Sequence, residues 1–416
     1  MAKVPFLIVG GGLAGAKAAE TLRDEGATGQ ITLIAAEPDR PYHRPPLSKD
    51  YMRGESKRED VFVHPATWAD RHRVTLELGT KADKLDVGAR TVSVGEKMFE
   101  FERPLIATGS EPIPLPVPGG QLAGVYLLRT LRDSETIQKA ARGKKRAVLI
   151  GGGFIATELA ASLHQMGLET FLITREKIVW EKFFGPALSP IFQRTMIDGG
   201  ANVLNEDEVI RIEGDTNVKQ VVTKKGETIP CDLVVAGVGV KPILDLAKSG
   251  GLEVEDGVIV NRFLQTSAPG IYAAGDIATF YSPLYGKSMR IEHWDVAQQH
   301  GILAGKNMAR EAAGKSDERE PFDQPPYFFS DLFDLSMEYL GDNKEADEHI
   351  TRGDPTGKEF TGFYLRKGRL VAALFANRNP DVEPTKALIQ QRLQVDLLMR
   401  SRLANPKFDL ASLGSK

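Results

Sequence analysis

The stretch Phe6-Leu-Ile-Val-Gly10-Gly-Gly12-Leu13-Ala14-Gly15 constrains this chain more than any other. Four apolar residues run into a Gly-x-Gly-x-x-Gly turn. Ala14, Ala18 and Leu22 then recur at helical spacing until Gly26. A buried strand, a tight turn and a helix start thus follow one another directly. The first glycine lets the chain turn, the second lets backbone approach a bound group, and the third lets helix pack on strand. The free N–H groups and positive dipole end of the helix attract an anion there. The whole pattern then returns as Ala147-Val-Leu-Ile-Gly151-Gly152-Gly153-Phe154-Ile155-Ala156-Thr-Glu158. At one constant offset Gly10, Gly12 and Gly15 map to Gly151, Gly153 and Ala156. Ala14, Ala18 and Leu22, which share one helix face, map to Ile155, Leu159 and Leu163, and Gly26 maps to Gly167. One such turn arises often by chance. Two, each between an apolar strand and a helical pattern, predict two sites for the pyrophosphate of a dinucleotide. The expected fold class is α/β, with two Rossmann-like dinucleotide-binding domains.

Each turn is followed by a second strand. The first, Gln30-Ile-Thr-Leu-Ile-Ala-Ala-Glu37, ends in an acid at about the 20-residue spacing that suits hydrogen bonding to an adenosine ribose. The second, Thr170-Phe-Leu-Ile-Thr-Arg175-Glu176, places Glu176 where Glu37 stands in the first copy. An acid there accepts from a free 2′-hydroxyl, whereas Arg175, with Lys177 and Lys182 nearby, suits a 2′-phosphate. NADH and NADPH both stay open on these residues.

With 416 residues the chain is expected to form two or three domains. A formal net charge of −3 argues against general attraction to nucleic acid or to an anionic membrane, and no apolar run is long enough to span a bilayer. Met1-Ala-Lys-Val-Pro enters the first strand almost at once, so a cytoplasmic protein is expected. The single cysteine, Cys231, excludes a disulfide or Cys-x-x-Cys pair within the chain, and it leaves no ligands for an iron–sulfur cluster. Its apolar surroundings predict a packed, inert thiol. No metal site is expected.

Between and beyond the two repeats lie several segments with chemical potential. Arg40-Pro-Tyr-His-Arg44-Pro-Pro-Leu-Ser-Lys49 is a proline-stiffened loop that presents two cations, Arg44 and Lys49, suited to an anionic group. Alternating segments within residues 73–102, among them Val74-Thr-Leu-Glu-Leu and Arg90-Thr-Val-Ser-Val, predict a small antiparallel sheet. Pro104-Leu-Ile-Ala107-Thr108-Gly109 is an apolar strand with a small-residue turn, and the strand ending Ala236-Gly237-Val-Gly239 is another. Prolines 112, 114, 116 and 118 mark a stiff linker. Gly270-Ile-Tyr-Ala-Ala-Gly275-Asp276 is a further strand, whose terminal acid either bonds a polyol or caps a helix. Arg290-Ile-Glu292-His293-Trp294 opens a helix running through Met308. Past a polar linker, Pro326–Asp331, Phe360–Leu365 and Arg369–Phe375 read as strands of a third domain with a helical, locally basic tail carrying Lys386, Arg392, Arg400 and Arg402. The expected boundaries are 1–112 and 241–320 for a split first domain, 113–240 for the second and 321–416 for the third.

Together the two glycine fingerprints, Arg44-Pro-Pro-Leu-Ser-Lys49, Ala107-Thr-Gly109, Gly275-Asp276, Glu292-His-Trp294 and the tail Leu403-Ala-Asn-Pro-Lys-Phe-Asp-Leu resemble the FAD-dependent pyridine-nucleotide reductases. Within that family they are most similar to the ferredoxin reductases that feed oxygenases and cytochromes P450. The resemblance implies FAD on the first domain, NADH or NADPH on the second, and a third domain over the flavin face. It implies flavin contacts from Arg44, Lys49, Ala82, Thr108, Arg129 and Asp276, with Lys49, Glu158 and Trp294 beside the reacting ring. It further implies an acidic ferredoxin-type iron–sulfur partner and a monomer or homodimer. NAD(P)H oxidases and quinone reductases share the scaffold. The Glu292–His293 pair also resembles monodehydroascorbate reductase and the redox-sensing apoptosis-inducing factor.

Overall fold

A computed structural model describes residues 2–414. The chain divides into two compact units, the first comprising residues 1–43, 58–111 and 241–326, the second residues 44–57, 112–240 and 327–416.

In the first unit, strand Ala2–Val9 pairs in parallel with Ile31–Ile34 on one side and with Lys97–Ile106 on the other. Val4, Leu7, Ile8, Ile31 and Leu33 are fully buried. A sheet covered on both faces asks for such unbroken apolar runs. Helix Leu13–Asp24 follows the glycine turn, and helix Trp294–Ala312 lies directly on it. Gly301 and Gly305, one turn apart, make that approach possible. A Cβ at Gly301 would lie 2.3 Å from the Ala14 carbonyl oxygen, and one at Gly305 2.8 Å from that of Ala18.

The expected antiparallel sheet is only partly there. Lys84–Asp86, Thr91–Val94 and Lys97–Ile106 do form an antiparallel run. Val74–Glu77 instead joins the main sheet in parallel, with Ile31 opposite Val74. Alternation shows that a strand is half-buried but not which neighbour it takes, and an edge strand of a parallel sheet alternates as a hairpin does.

The second unit contains the repeat. Arg146–Ile150 pairs in parallel with Glu169–Ile173 and Leu233–Ala236, and Asn202–Leu204 and Val125–Leu127 complete five strands. The two registers coincide: Val9 lies opposite Ile34, and Ile150 opposite Ile173. Glu37 and Glu176 each stand three residues beyond that point. Of the three residues that share one face, helix Phe154–Gln165 buries Leu159 and Leu163 and leaves Ile155 41% exposed. Its counterpart Ala14 is buried, with Gly275 against its side chain and Gly301 against its backbone, both supplied by a distant segment and not by the repeat itself.

The last part of this unit is a five-stranded antiparallel sheet in the order Tyr327–Leu332, Leu335–Gly341, Arg369–Ala376, Glu359–Arg366, Glu348–Asp354. Leu335–Gly341 and Glu348–Asp354 escape the sequence reading. The first follows its neighbour after a two-residue turn at Phe333-Asp334, and the second carries mainly polar and charged residues. Helices Val382–Gln390 and Leu397–Ala404 form the tail.

Candidate functional site

In the first unit the glycine turn is closed by the strand beside it. Gly10 has φ +134°, and a Cβ there would sit 1.9 Å from the Ala107 carbonyl oxygen. Only glycine fits. Around Gly12, by contrast, an added Cβ would meet nothing within 4 Å, so this backbone faces open space. Gly12 is also the N-cap of helix Leu13–Asp24, with no side chain capping it. The second unit repeats the arrangement. Gly151 has φ +124° with a virtual Cβ 2.3 Å from the Gly237 carbonyl oxygen, Gly153 faces open space, and helix Phe154–Gln165 has no side-chain cap. The turns Ala107-Thr108-Gly109 and Gly237-Val-Gly239 are therefore structural equivalents, each lying over the first glycine of its own fingerprint. Open backbone at an uncapped helix start is what a pyrophosphate requires, so both turns fit a dinucleotide.

The remaining first-unit candidates gather near the same sheet. Glu37 accepts a hydrogen bond from the Tyr42 hydroxyl. Ala82 is half-buried against the core. Asp276 follows Gly275 at the end of Tyr272–Ala273, which pairs with Lys97–Ile106. Its carboxylate accepts from Ser110 Oγ at 3.0 Å, and its carbonyl from Arg290 Nη1 at 3.0 Å. Thr108 Oγ1 donates to the Ile243 carbonyl at 2.7 Å. Beneath this turn lies His300, fully buried against Phe280 and Phe322. Its Nδ1 accepts the Gly275 N–H at 3.4 Å. Burial pushes the imidazole pKa down to about 3, against an upward pull from Asp276. Glu292 pairs with Arg290 at 2.6 Å. His293 is the N-cap residue of helix Trp294–Ala312, and Trp294, half-buried, donates from Nε1 to His43 Nδ1 at 3.1 Å.

In the second unit the Arg44–Lys49 segment is built into the fold. Pro45 starts a short 3₁₀ turn, Pro45–Ser48, a start that proline's fixed φ favours. Ser134 Oγ donates to the Leu47 carbonyl at 2.8 Å and Ser162 Oγ to that of Ser48 at 2.6 Å. Arg44 donates to the Arg129 carbonyl, next to helix Leu131–Ala141. So anchored, Lys49 Nζ lies 2.9 Å from Glu158 Oε1, both side chains at most a tenth exposed. Two buried hydroxyls complete the cluster. Ser48 Oγ donates to Glu158 Oε2 at 2.5 Å and Ser330 Oγ to Oε1 at 2.6 Å. The Phe329 ring centroid is 5.1 Å from Lys49 Nζ. Sequence reading singles out Lys49 and Glu158 but neither serine. Ser48 could have been noticed as Lys49's neighbour, whereas nothing local ties Ser330 to Glu158.

At the second fingerprint, Phe154 packs against Trp180, Phe183 and Phe328 with centroids 4.7, 4.9 and 4.8 Å away. Glu176 folds over Gly152, accepts the Trp180 N–H at 3.1 Å and pairs with Lys182 at 2.6 Å. Arg175 points outward, 83% exposed, and pairs with Glu208 at 2.5 Å. The Cys231 thiol is buried, and its pKa is pushed up to about 12 by burial and by Asp232. It is inert as a nucleophile. Among the described residues no group of acids, histidines and cysteine is placed to hold a metal, and no helix is long and apolar enough to cross a membrane.

Compared with known proteins, residues 4–301 match the family described as pyridine nucleotide-disulphide oxidoreductase, and residues 327–414 match the reductase C-terminal domain. The chain is 32% identical to putidaredoxin reductase CamA of Pseudomonas putida, over 94% of this chain and 92% of that protein. It is 31% identical to rhodocoxin reductase of Rhodococcus erythropolis, over 97% and 93%. A solved covalent putidaredoxin reductase–putidaredoxin complex superimposes with a TM-score of 0.92 at 31% identity, covering 99% of this chain and 98% of that one. Paired glycine turns and a single buried cysteine agree with dinucleotide chemistry that uses no disulfide within the chain. The chain belongs to the pyridine nucleotide-disulphide oxidoreductase family, as an FAD- and NAD(P)H-dependent enzyme with a reductase C-terminal domain.

Proposed function

We propose that this enzyme passes electrons from NADH or NADPH, through FAD, to a ferredoxin-type iron–sulfur protein. The observation that carries this reading is the duplicated turn. Two open, uncapped helix starts, each behind a glycine that admits no side chain, offer separate seats for two dinucleotides. FAD goes to the first, with Glu37 at its ribose and Asp276 at its ribityl chain, and the nicotinamide cofactor to the second, with Glu176 at its ribose. Bound FAD supplies the chemistry of taking a hydride and releasing electrons singly.

The protein contributes placement and charge. Lys49 would carry a cation to offset negative charge on bound flavin, with Arg44 as a second positive group. Glu158 fixes the Lys49 ammonium and orients the nicotinamide carboxamide. Trp294, its indole N–H held by His43, would lie beside the ring. With one cysteine, this chain cannot form an iron–sulfur cluster of its own, so the electrons go to a separate carrier. The superimposed reductase was solved in a covalent complex with putidaredoxin, which supports a separate protein partner here. An acidic carrier suits the basic tail, and we place the enzyme in the cytoplasm as a monomer or homodimer.

The reading is tested by steady-state reduction of a panel of acidic ferredoxins with each nicotinamide cofactor. Rapid carrier reduction is expected. Turnover that is equally fast with quinone or oxygen alone would make the enzyme a quinone reductase or oxidase instead.

A further inference from the structure

We propose that Ser48 and Ser330 are positioning residues for the Lys49–Glu158 pair, and that through it they set the reduction potential of bound flavin. This rests on the role just given to Lys49.

The two serines are 1% and 0% exposed and come from unrelated parts of the second unit. Ser48 ends the 3₁₀ turn just before Lys49, and Ser330 sits on strand Tyr327–Leu332 of the C-terminal sheet. Each gives its only hydroxyl proton to a different oxygen of Glu158. The Pro45 carbonyl lies 3.4 Å from Ser48 Oγ, against 2.5 Å for Glu158 Oε2, so the carboxylate takes that proton. Together they prevent the carboxylate from rotating. They also share its charge. A hydroxyl dipole aimed at a carboxylate neutralises part of it, and in a buried site that effect is strong. Lys49 is the third donor to the same group, at 2.9 Å. With both hydroxyls in place, less of the Glu158 charge falls on the ammonium, and more positive potential is left for the ring. Take one hydroxyl away and Glu158 leans its whole charge on Lys49. The reduced form of the flavin is then less favoured.

The C-terminal domain thus reaches into the electrostatics of the reaction through one hydroxyl. A merely structural serine would satisfy a buried carboxylate and do nothing else.

The experiment is the midpoint potential of bound FAD, measured in the full-length holoenzyme for Ser330→Ala, Ser48→Ala and Ser330→Thr. Both alanine variants should shift to more negative potential. Losing a hydrogen bond to a charged group gives roughly a tenfold change in the reduction equilibrium, about 30 mV for a two-electron couple. Ser330→Thr keeps the hydroxyl and should restore the wild-type value. In a Lys49→Met background Ser330→Ala should move nothing, because the cation it acts through is gone. Should Ser330→Ala fail to retain FAD, Ser48→Ala tests the other oxygen by itself. Unmoved or more positive potentials in FAD-loaded alanine variants would overturn the proposal. If Lys49→Met itself left the potential and the rate of flavin reduction unchanged, the role of Lys49 would fall first. If it shifted both while the serine variants did not, only the present inference would fall.

Discussion

Single residues decide the local chemistry here by what they exclude. Gly10 and Gly151 hold the same left-handed conformation under the same kind of carbonyl, 1.9 and 2.3 Å from where a side chain would begin. His300 does the opposite: it fills a space completely and stays neutral in it. The unfolded chain takes up a proton at this histidine below about pH 6.5, whereas the folded chain does so only near pH 3. Folding is therefore penalised as pH falls through that window, by up to about 1.4 kcal/mol per unit. Stability measured by denaturant should drop about 2 kcal/mol from this group between pH 7 and pH 5. His300→Gln should lack that part of the slope, and an unchanged slope would place the acid sensitivity in other groups. The repeat of glycines was legible in the residues alone, as was Lys49 as a candidate cation, whereas Glu158 became a candidate only through the family resemblance. His300 was not legible, because nothing about a lone histidine in a helix says that Phe280 and Phe322 will close over it.

At the scale of elements, strand Glu348–Asp354 carries the clearest long-range tie. Arg352, 3% exposed, donates Nε to Asp381 at 3.0 Å. Its other nitrogens serve the backbone carbonyls of Leu403, Asn405, Pro406 and Phe408. Burial by itself would raise the Asp381 pKa. Hydrogen bonds from Arg378 and Thr361 and the charge of Arg352 outweigh it and leave the carboxyl below its ordinary 3.8. What this acid contributes to stability is whole above that value and is lost as pH falls beneath it. Replacing Arg352 by methionine takes the donor from four carbonyls and leaves Asp381 with Arg378 and Thr361 only, at a cost of roughly 3 kcal/mol. The variant should be cut by protease within residues 396–414 under conditions where the native tail survives. Equal resistance would show that Leu403, Leu410 and Leu413 hold the tail without it. The polar pattern that hid this strand from sequence reading is the pattern that lets it bind the tail.

Across the whole molecule, two units repeat one solution to holding a dinucleotide, and the second also carries the C-terminal sheet. Binding to the folded state alone stabilises it by mass action, about 2.7 kcal/mol at a hundredfold excess over Kd. Stripping FAD should therefore lower the melting temperature, and adding it back should restore it. Amide exchange should slow chiefly at residues 10–15 and 275–276 of the first unit. Protection confined to the second glycine turn would reverse the proposed assignment of the two cofactors.

By itself the sequence determined the strand–turn–helix units, their duplication and the cofactor class they imply. Each of these rests on sterics and periodicity over a few residues, which act before the chain has folded back on itself. Tertiary structure alone decided that Val74–Glu77 runs parallel in the main sheet, that Ile155 is left exposed, and that Ser330 shares a carboxylate with Ser48 and Lys49. Those outcomes depend on which distant segment returns to fill a given space, and the burial that makes them strong exists only once it has.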